Sequence, residues 1–149
     1  MMKEIKGKYN PYILEIQLRL ADTDSLGHLS NVAYIEFLET ARTEWHASTK
    51  NGRGALDGGW DWILGEIRIK FKKEGRLSDK LTVYMWSSRI GTKSWNFSYA
   101  IINEKEEIIV IAQTSQISFN YAEGKSQLIP EEIALDLKNR SGVAWSELN

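Results

Sequence analysis

The sequence predicts an α+β fold with one antiparallel sheet and one long helix. Three observations carry this. A strand-like run, Tyr12 to Ala21, precedes the only strongly apolar helix pattern in the chain. Four further runs alternate apolar and polar residues, the signature of half-buried strands. The connections between those four are short and turn-rich, which makes neighbours antiparallel. A single helix beside one such sheet is an α+β arrangement.

Residues 1–11 are polar, end at Pro11 and read as a leader. From Tyr12 to Ala21, Leu14, Ile16, Leu18 and Leu20 point one way, and Glu15, Gln17 and Arg19 the other. Asp22 to Ser30 is rich in turn formers. Ser30 or Asn31 then offers a side-chain oxygen to cap a helix. Tyr34, Phe37, Leu38, Ala41 and Trp45 fall on one helical face. Lys50-Asn51-Gly52 reads as the stop, giving a helix of about 18 residues and roughly 27 Å. Asn51 to Gly59 holds four glycines and no pattern, so it reads as a loop.

The later strands are expected at Trp62–Lys72, Lys80–Arg89, Ser94–Ile102 and Ile108–Phe119. In the first, Ile63, Ile67, Ile69 and Phe71 face away from Glu66, Arg68, Lys70 and Lys72. Glu74-Gly75, Gly91-Thr92 and Asn103-Glu104-Lys105 mark the turns between them. Pro130-Glu131-Glu132 opens a short terminal helix. No repeat or second domain interrupts residues 1–149, which are read as a single domain.

Composition excludes several classes. The chain has 149 residues, 42% hydrophobic and 26% charged, a globular balance. Net charge is -1, which argues against a general nucleic-acid binder. Absence of cysteine removes disulfides, thiolate metal sites and a cysteine nucleophile. No apolar run approaches the ~20 residues of a membrane span, and the lysine-bearing start lacks the apolar core of a signal peptide. Cytoplasm is the expected compartment. Six tryptophans could serve a core, an interface or an acyl pocket, and composition does not choose.

The chemistry is expected in the loop that feeds the long helix. Asp22 and Asp24 are either turn formers or carboxylates kept ionised by the helix dipole. An ionised carboxylate can act on water as a base or attack as a nucleophile. The helix start supplies free backbone N–H groups that can hold an oxyanion. A calcium loop is excluded, since its fifth and twelfth positions would be Leu26 and Ala33. An aspartate phosphatase needs a doubly wound sheet that this element order lacks. Asp22, Asp24 and His28, three residues of one loop, are weak evidence for a metal site. His28 is either a loop residue or an orienting group; His46, near the helix end, is given no role. Glu39 and Arg42, three apart, read as an ion pair. Glu39 sits roughly 12 Å from the helix start, too far to share a carbonyl with the N-terminal donors.

The spacing D22-T-D24-x-x-G27-H28-x-x-N31-x-x-Y34, followed by E39-x-A41-R42, resembles the hot-dog-fold acyl-CoA thioesterases of the 4-hydroxybenzoyl-CoA type. The run from Phe71 to Val83, the stretch around Ser94 and Trp95 and the strand through Thr114 resemble that family's sheet. The resemblance spans residues 12–130. It implies a curved antiparallel sheet of about five strands wrapped around one helix, in homodimers or homotetramers with sites at subunit interfaces. It makes Asp24 the catalytic carboxylate and the Asn31 N–H the carbonyl donor. Plant acyl-carrier-protein thioesterases place a His four residues after the Asp, which matches His28, and an Asn two after it, where this chain has Leu26. Ser78 stands where the family often has Gly.

The implied reaction is hydrolysis of an acyl-CoA thioester to free acid and coenzyme A, without a cofactor beyond the substrate's own coenzyme A. Gly27 and Tyr34 would shape the site. Arg89, Lys93 and Ser94, with Lys72 and Lys73, are candidates for the substrate's phosphates, although a solvated strand edge explains the lysines equally. The alternative is a non-catalytic acyl-CoA or acyl-carrier-protein binding module on the same fold, which would not need Asp24 ionised. A hot-dog hydratase, with His and an acid in another motif, ranks below both.

Overall fold

A computed structural model describes Ile5 and residues 10–49 and 60–148. Six strands and two α-helices are described: β1 Tyr12–Glu15, α1 Asn31–Ala47, β2 Asp61–Phe71, β3 Thr82–Ile90, β4 Ser94–Ile102, β5 Ile108–Asn120, β6 Lys125–Ser126 and α2 Glu131–Asn139. The expected stop at Lys50 to Gly52 and the loop to Gly59 lie outside the described residues, as does most of the leader.

The sheet runs β1-β3-β4-β5-β2, with β6 pairing the end of β5, and every pairing is antiparallel. Its inner face packs on α1. Trp45, Leu38, Ala41 and Phe37 of the helix join Val83, Met85, Trp95, Phe97, Tyr99 and Ile101 in one core. Trp45 meets the Phe97 ring edge-on at 5.0 Å and is fully buried. Truncating such a residue to Ala costs about 3–5 kcal/mol. Most of the six tryptophans are thus core: Trp45, Trp86 and Trp95 are fully buried, and Trp60 is buried too.

Four expectations need correction. The first strand ends at Glu15, and Leu20–Asp22 is a 3-10 turn. Burial still alternates through Leu18, so the period-two pattern outlasts the ladder; Leu20 is 76% exposed. In β2 the register shifts between Leu64 and Glu66, a β-bulge at Gly65. A bulge inserts one residue and flips the faces on either side. Ile63 therefore leaves the face of Ile67, Ile69 and Phe71, and Trp62 and Leu64 join it. The sheet is covered on both sides, since Tyr84, Trp86, Ala100, Ile102 and Ile111 are buried with Val143, Trp145 and Leu148 packed on their outer face. Trp86 Nε1 anchors that segment by donating to the Val143 carbonyl at 2.7 Å. Finally, Arg42 forms no ion pair with Glu39; it is buried and donates to the Tyr99 hydroxyl.

Candidate active site

The loop between Leu20 and α1 is built by its own aspartates. Asp22 is 2% exposed. Its Oδ1 accepts from Arg19 Nη2 at 3.0 Å, and its Oδ2 from the Arg19 backbone N–H at 2.8 Å. The hydrogen bond from Arg19 holds the carboxyl below the usual aspartate range, against the opposing pull of burial. The Asp22 carbonyl accepts from Ser30 N–H at 2.8 Å and closes the loop's base. Asp22 is therefore a structural anchor.

Asp24 sits at the exposed tip. Its Oδ1 accepts from Leu26 N–H at 2.9 Å and His28 N–H at 3.1 Å. Among the described residues nothing bonds Oδ2, so one oxygen is pinned and the other is open. Gly27 has φ +79°, a conformation that favours glycine, and its N–H donates to the Asp24 carbonyl at 3.2 Å. The turn that aims Asp24 thus depends on Gly27.

The loop docks on the β2–β3 connection. Leu29 N–H donates to the Gly75 carbonyl at 2.9 Å, and Gly75 N–H donates to the Tyr34 hydroxyl at 2.9 Å. A Cβ on Gly75 would meet that hydroxyl at 2.6 Å and Leu29 Cδ1 at 2.9 Å, so the close approach requires glycine. Burial pushes the Tyr34 phenol up and keeps it neutral. His28, half-buried, places Nε2 3.2 Å from Glu74 Oε2. The sequence marked Glu74 only as a turn residue, because only the fold carries it to the loop.

The helix start completes the site. Ser30 is the cap, its Oγ accepting from Ala33 N–H at 3.2 Å. The N–H groups of Asn31 and Val32 have no partner among the described residues, as expected for a first turn. Asp24, His28, Asn31 and Tyr34 meet in one cleft of about 150 Å³, with Phe71, Lys73 and Glu74 on its far wall. Lys73 is ion-paired with Glu107. A polarised carbonyl and a carboxylate-activated water can both be served from such a cleft.

Arg89, Lys93 and Ser94 stand elsewhere. Arg89 Nη2 donates to Ser94 Oγ and Asn96 Oδ1, each at 3.1 Å. Ser94 pairs with Ile117 of β5, whereas Phe71 pairs with Val110. Those positions are roughly 24 Å apart along the strand. Within one chain, these three residues and the Asp24 cleft occupy opposite ends of the sheet. Among the described residues, no three His, Asp or Glu side chains form a metal-binding group, and no helix is long and apolar enough to cross a membrane.

Comparison with known proteins agrees with this architecture. The family model of the thioesterase-like superfamily matches residues 18–137. No curated protein matches. Among solved structures, a predicted thioesterase from Bacillus stearothermophilus aligns with TM-score 0.81 at 19% identity, covering 90% of this chain and 98% of that one. A 1,4-dihydroxy-2-naphthoyl-CoA thioesterase from Synechocystis aligns with TM-score 0.75 at 21% identity, covering 87% and 98%. A Staphylococcus aureus hypothetical protein, solved in complex with CoA, aligns with TM-score 0.80 at 15% identity, covering 92% and 90%. The likeness shows the shared fold, a sheet packed around one long helix.

Proposed function

The chain belongs to the thioesterase-like superfamily and is a thioester hydrolase on the hot-dog fold, and we propose that it cleaves acyl-CoA thioesters with Asp24 as the catalytic carboxylate. One observation carries this reading. Asp24 is pinned through Oδ1 in the cleft that also holds the start of α1, which leaves Oδ2 free.

The thioester carbonyl oxygen accepts from the Asn31 N–H, aided by the positive end of the helix dipole. Asp24 Oδ2 takes a proton from water as the water oxygen adds to the carbonyl carbon. The tetrahedral intermediate collapses, the carbon–sulfur bond breaks, and the thiolate of coenzyme A leaves and is protonated. The products are the free acid and coenzyme A. His28, tied to Glu74 and to Asp24 through its backbone, steadies the loop. Gly27 and Tyr34 hold its shape and its dock.

The substrate's phosphates call for cations. Lys73 is the cation of this cleft. Arg89 and Lys93, at the other end of the sheet, reach a cleft only from a second copy, so the working unit in this reading is a homo-oligomer. No cofactor beyond the substrate is required, and the reaction suits the cytoplasm.

The test is a thiol-release screen over short, long, branched and aromatic acyl-CoAs, with Asp24→Asn alongside wild type. Wild type should release thiol from at least one, and the variant should lose at least ~100-fold. Binding without thiol release from any of them would sink the reading. Single turnover in heavy-oxygen water tests the step itself: label is expected only in the released acid. Label in the Asp24 carboxylate would show direct attack on the carbonyl instead.

A further inference from the structure

The middle of α1 carries a second charged centre that the hydrolysis does not use. Arg42 is 4% exposed. A buried guanidinium normally has a counter-charge, because its desolvation is otherwise uncompensated. Among the described residues, Arg42 has no carboxylate within ion-pair distance. Its one hydrogen bond there runs from Nη1 to the Tyr99 hydroxyl at 3.3 Å. Tyr99 lies 2.6 Å from Thr114 Oγ1, to which Gln116 Nε2 also donates, and all three residues are fully buried. Burial pushes the Tyr99 phenol up, so this network consists of neutral dipoles. It orients Arg42 without neutralising it. Nε and Nη2 remain as donors.

Arg42 lines an open pocket of about 290 Å³ walled by Ile35, Trp62, Leu64 and Ile67, with Glu39 at the rim. This pocket and the Asp24 cleft lie along one groove. Phe71 of β2 meets Tyr34 near the start of α1, with ring centroids 5.7 Å apart. Trp62, at the other end of β2, meets Trp45 near the end of α1 at 5.8 Å. Helix and strand therefore run side by side in opposite directions. Asn31, Ile35, Glu39 and Arg42 recur along the helix at spacings that share a face. The bulge at Gly65 is what turns Trp62 and Leu64 inward to meet them. Since β2 is the edge of the sheet, no further strand among the described residues closes the groove.

We propose that Arg42 binds a carboxylate at the far end of the acyl group, so that the preferred substrate is a half-thioester of a dicarboxylic acid lying along the α1–β2 groove. The inference rests on the thioesterase reading for the position of the thioester end. The planar guanidinium fork matches a carboxylate, which would supply the missing charge. The apolar wall between the two centres takes the methylenes. From Asn31 to Arg42 the helix rises roughly 16 Å. The arginine stem leans back toward the helix start and shortens that distance. A chain of roughly eight to ten carbons bridges the remainder.

The experiment compares kcat/KM for the CoA monothioester of decanedioic acid with that for decanoyl-CoA. Wild type should favour the carboxylated substrate roughly tenfold to a hundredfold, the effect of a charge-assisted hydrogen bond. Arg42→Met, which keeps the stem, should bring the ratio close to one. A wild-type preference for decanoyl-CoA, or a variant that loses both substrates equally, overturns the proposal. A second readout needs no turnover: decanedioate should quench wild-type tryptophan fluorescence saturably, and 1,10-decanediol should not. Should Arg42→Met fail to fold, the wild-type preference and this quenching decide alone. Quenching by decanedioate without cleavage of either thioester would leave the subsite standing and defeat the thioesterase reading. Cleavage of both without preference would do the reverse.

Discussion

Asp22 and Asp24 stand two positions apart and put a carboxylate to opposite uses. At the base of the loop, Asp22 is buried and spends both oxygens on Arg19. At the tip, Asp24 is exposed and spends one oxygen on two backbone N–H groups, leaving the other open. The base has its carboxylate fully satisfied and holds the chain in place. The tip keeps unused capacity, which is what a reaction needs. Residue type and spacing are the same for both readings, and partners separate them.

Exchanging the two acids one at a time gives the largest contrast. Asp24→Asn should cut thiol release at least ~100-fold while thermal melting stays within the small range of a surface change. Asp22→Asn should do the reverse, lowering stability and leaving most turnover per folded molecule. Equal activity losses in both variants would mean that the loop fails as a unit and that the base–tip distinction is false.

The dock beneath the loop comes next. Gly75→Ala places a methyl against the Tyr34 hydroxyl and Leu29, so one of them must move. Overpacking of this kind costs about 1–3 kcal/mol, readable as a lower urea midpoint. Because Leu29 and His28 move with that wall, KM should rise as well. A variant with unchanged stability and kinetics would show that the loop does not depend on this dock.

Much of the fold was legible because burial leaves a period in the sequence. β4 was placed at its observed limits, and α1 was placed to within a few residues. The failures share a cause. Periodicity reports which side is buried, and it is silent about hydrogen bonds and inserted residues. Hence the first strand was drawn past Glu15, and Ile63 was put on the face of Ile67 across the Gly65 bulge. The cover over the outer face rests on Trp145 and Leu148, far along the chain, and no local pattern announces it. In the site, Asp24, His28, Asn31 and Tyr34 were readable because one short stretch contains them all. Glu74 and Gly75 were not, since tertiary packing brings them there. Arg42 was paired with Glu39 on spacing alone. Its place beside Leu38, Ala41 and Trp45 in the apolar stripe was the available sign that it points inward.

The loop's base also predicts an acid dependence. The Asp22 carboxyl titrates below its ordinary value when folded. Its contribution to stability is therefore complete above about pH 4, the ordinary aspartate range, and is lost as pH falls through the lower folded value. Asp22→Asn should lose about 1–2 kcal/mol at neutral pH, a charged hydrogen bond discounted for the exposure of Arg19. It should also flatten the fall in stability below pH 4. Urea unfolding at several pH values checks both. A variant that retains the wild-type acid slope would place that titration in another group.

The smallest effect tests where the loop ends and the helix begins. Ser30 bonds to both sides: its N–H donates to the Asp22 carbonyl, and its Oγ caps Ala33. Ser30→Ala removes only the side-chain bond and should cost about 1 kcal/mol. Stability alone would leave the role of the cap in catalysis open, because any frayed helix is less stable. The sharper readout is the split between kinetic constants. If the first turn of α1 holds the thioester oxygen, loosening it should lower kcat several-fold while KM changes little, since the oxyanion bond strengthens in the transition state. A loss confined to KM would assign the helix start to substrate binding, and Asp24 would then act without its proposed oxyanion donor.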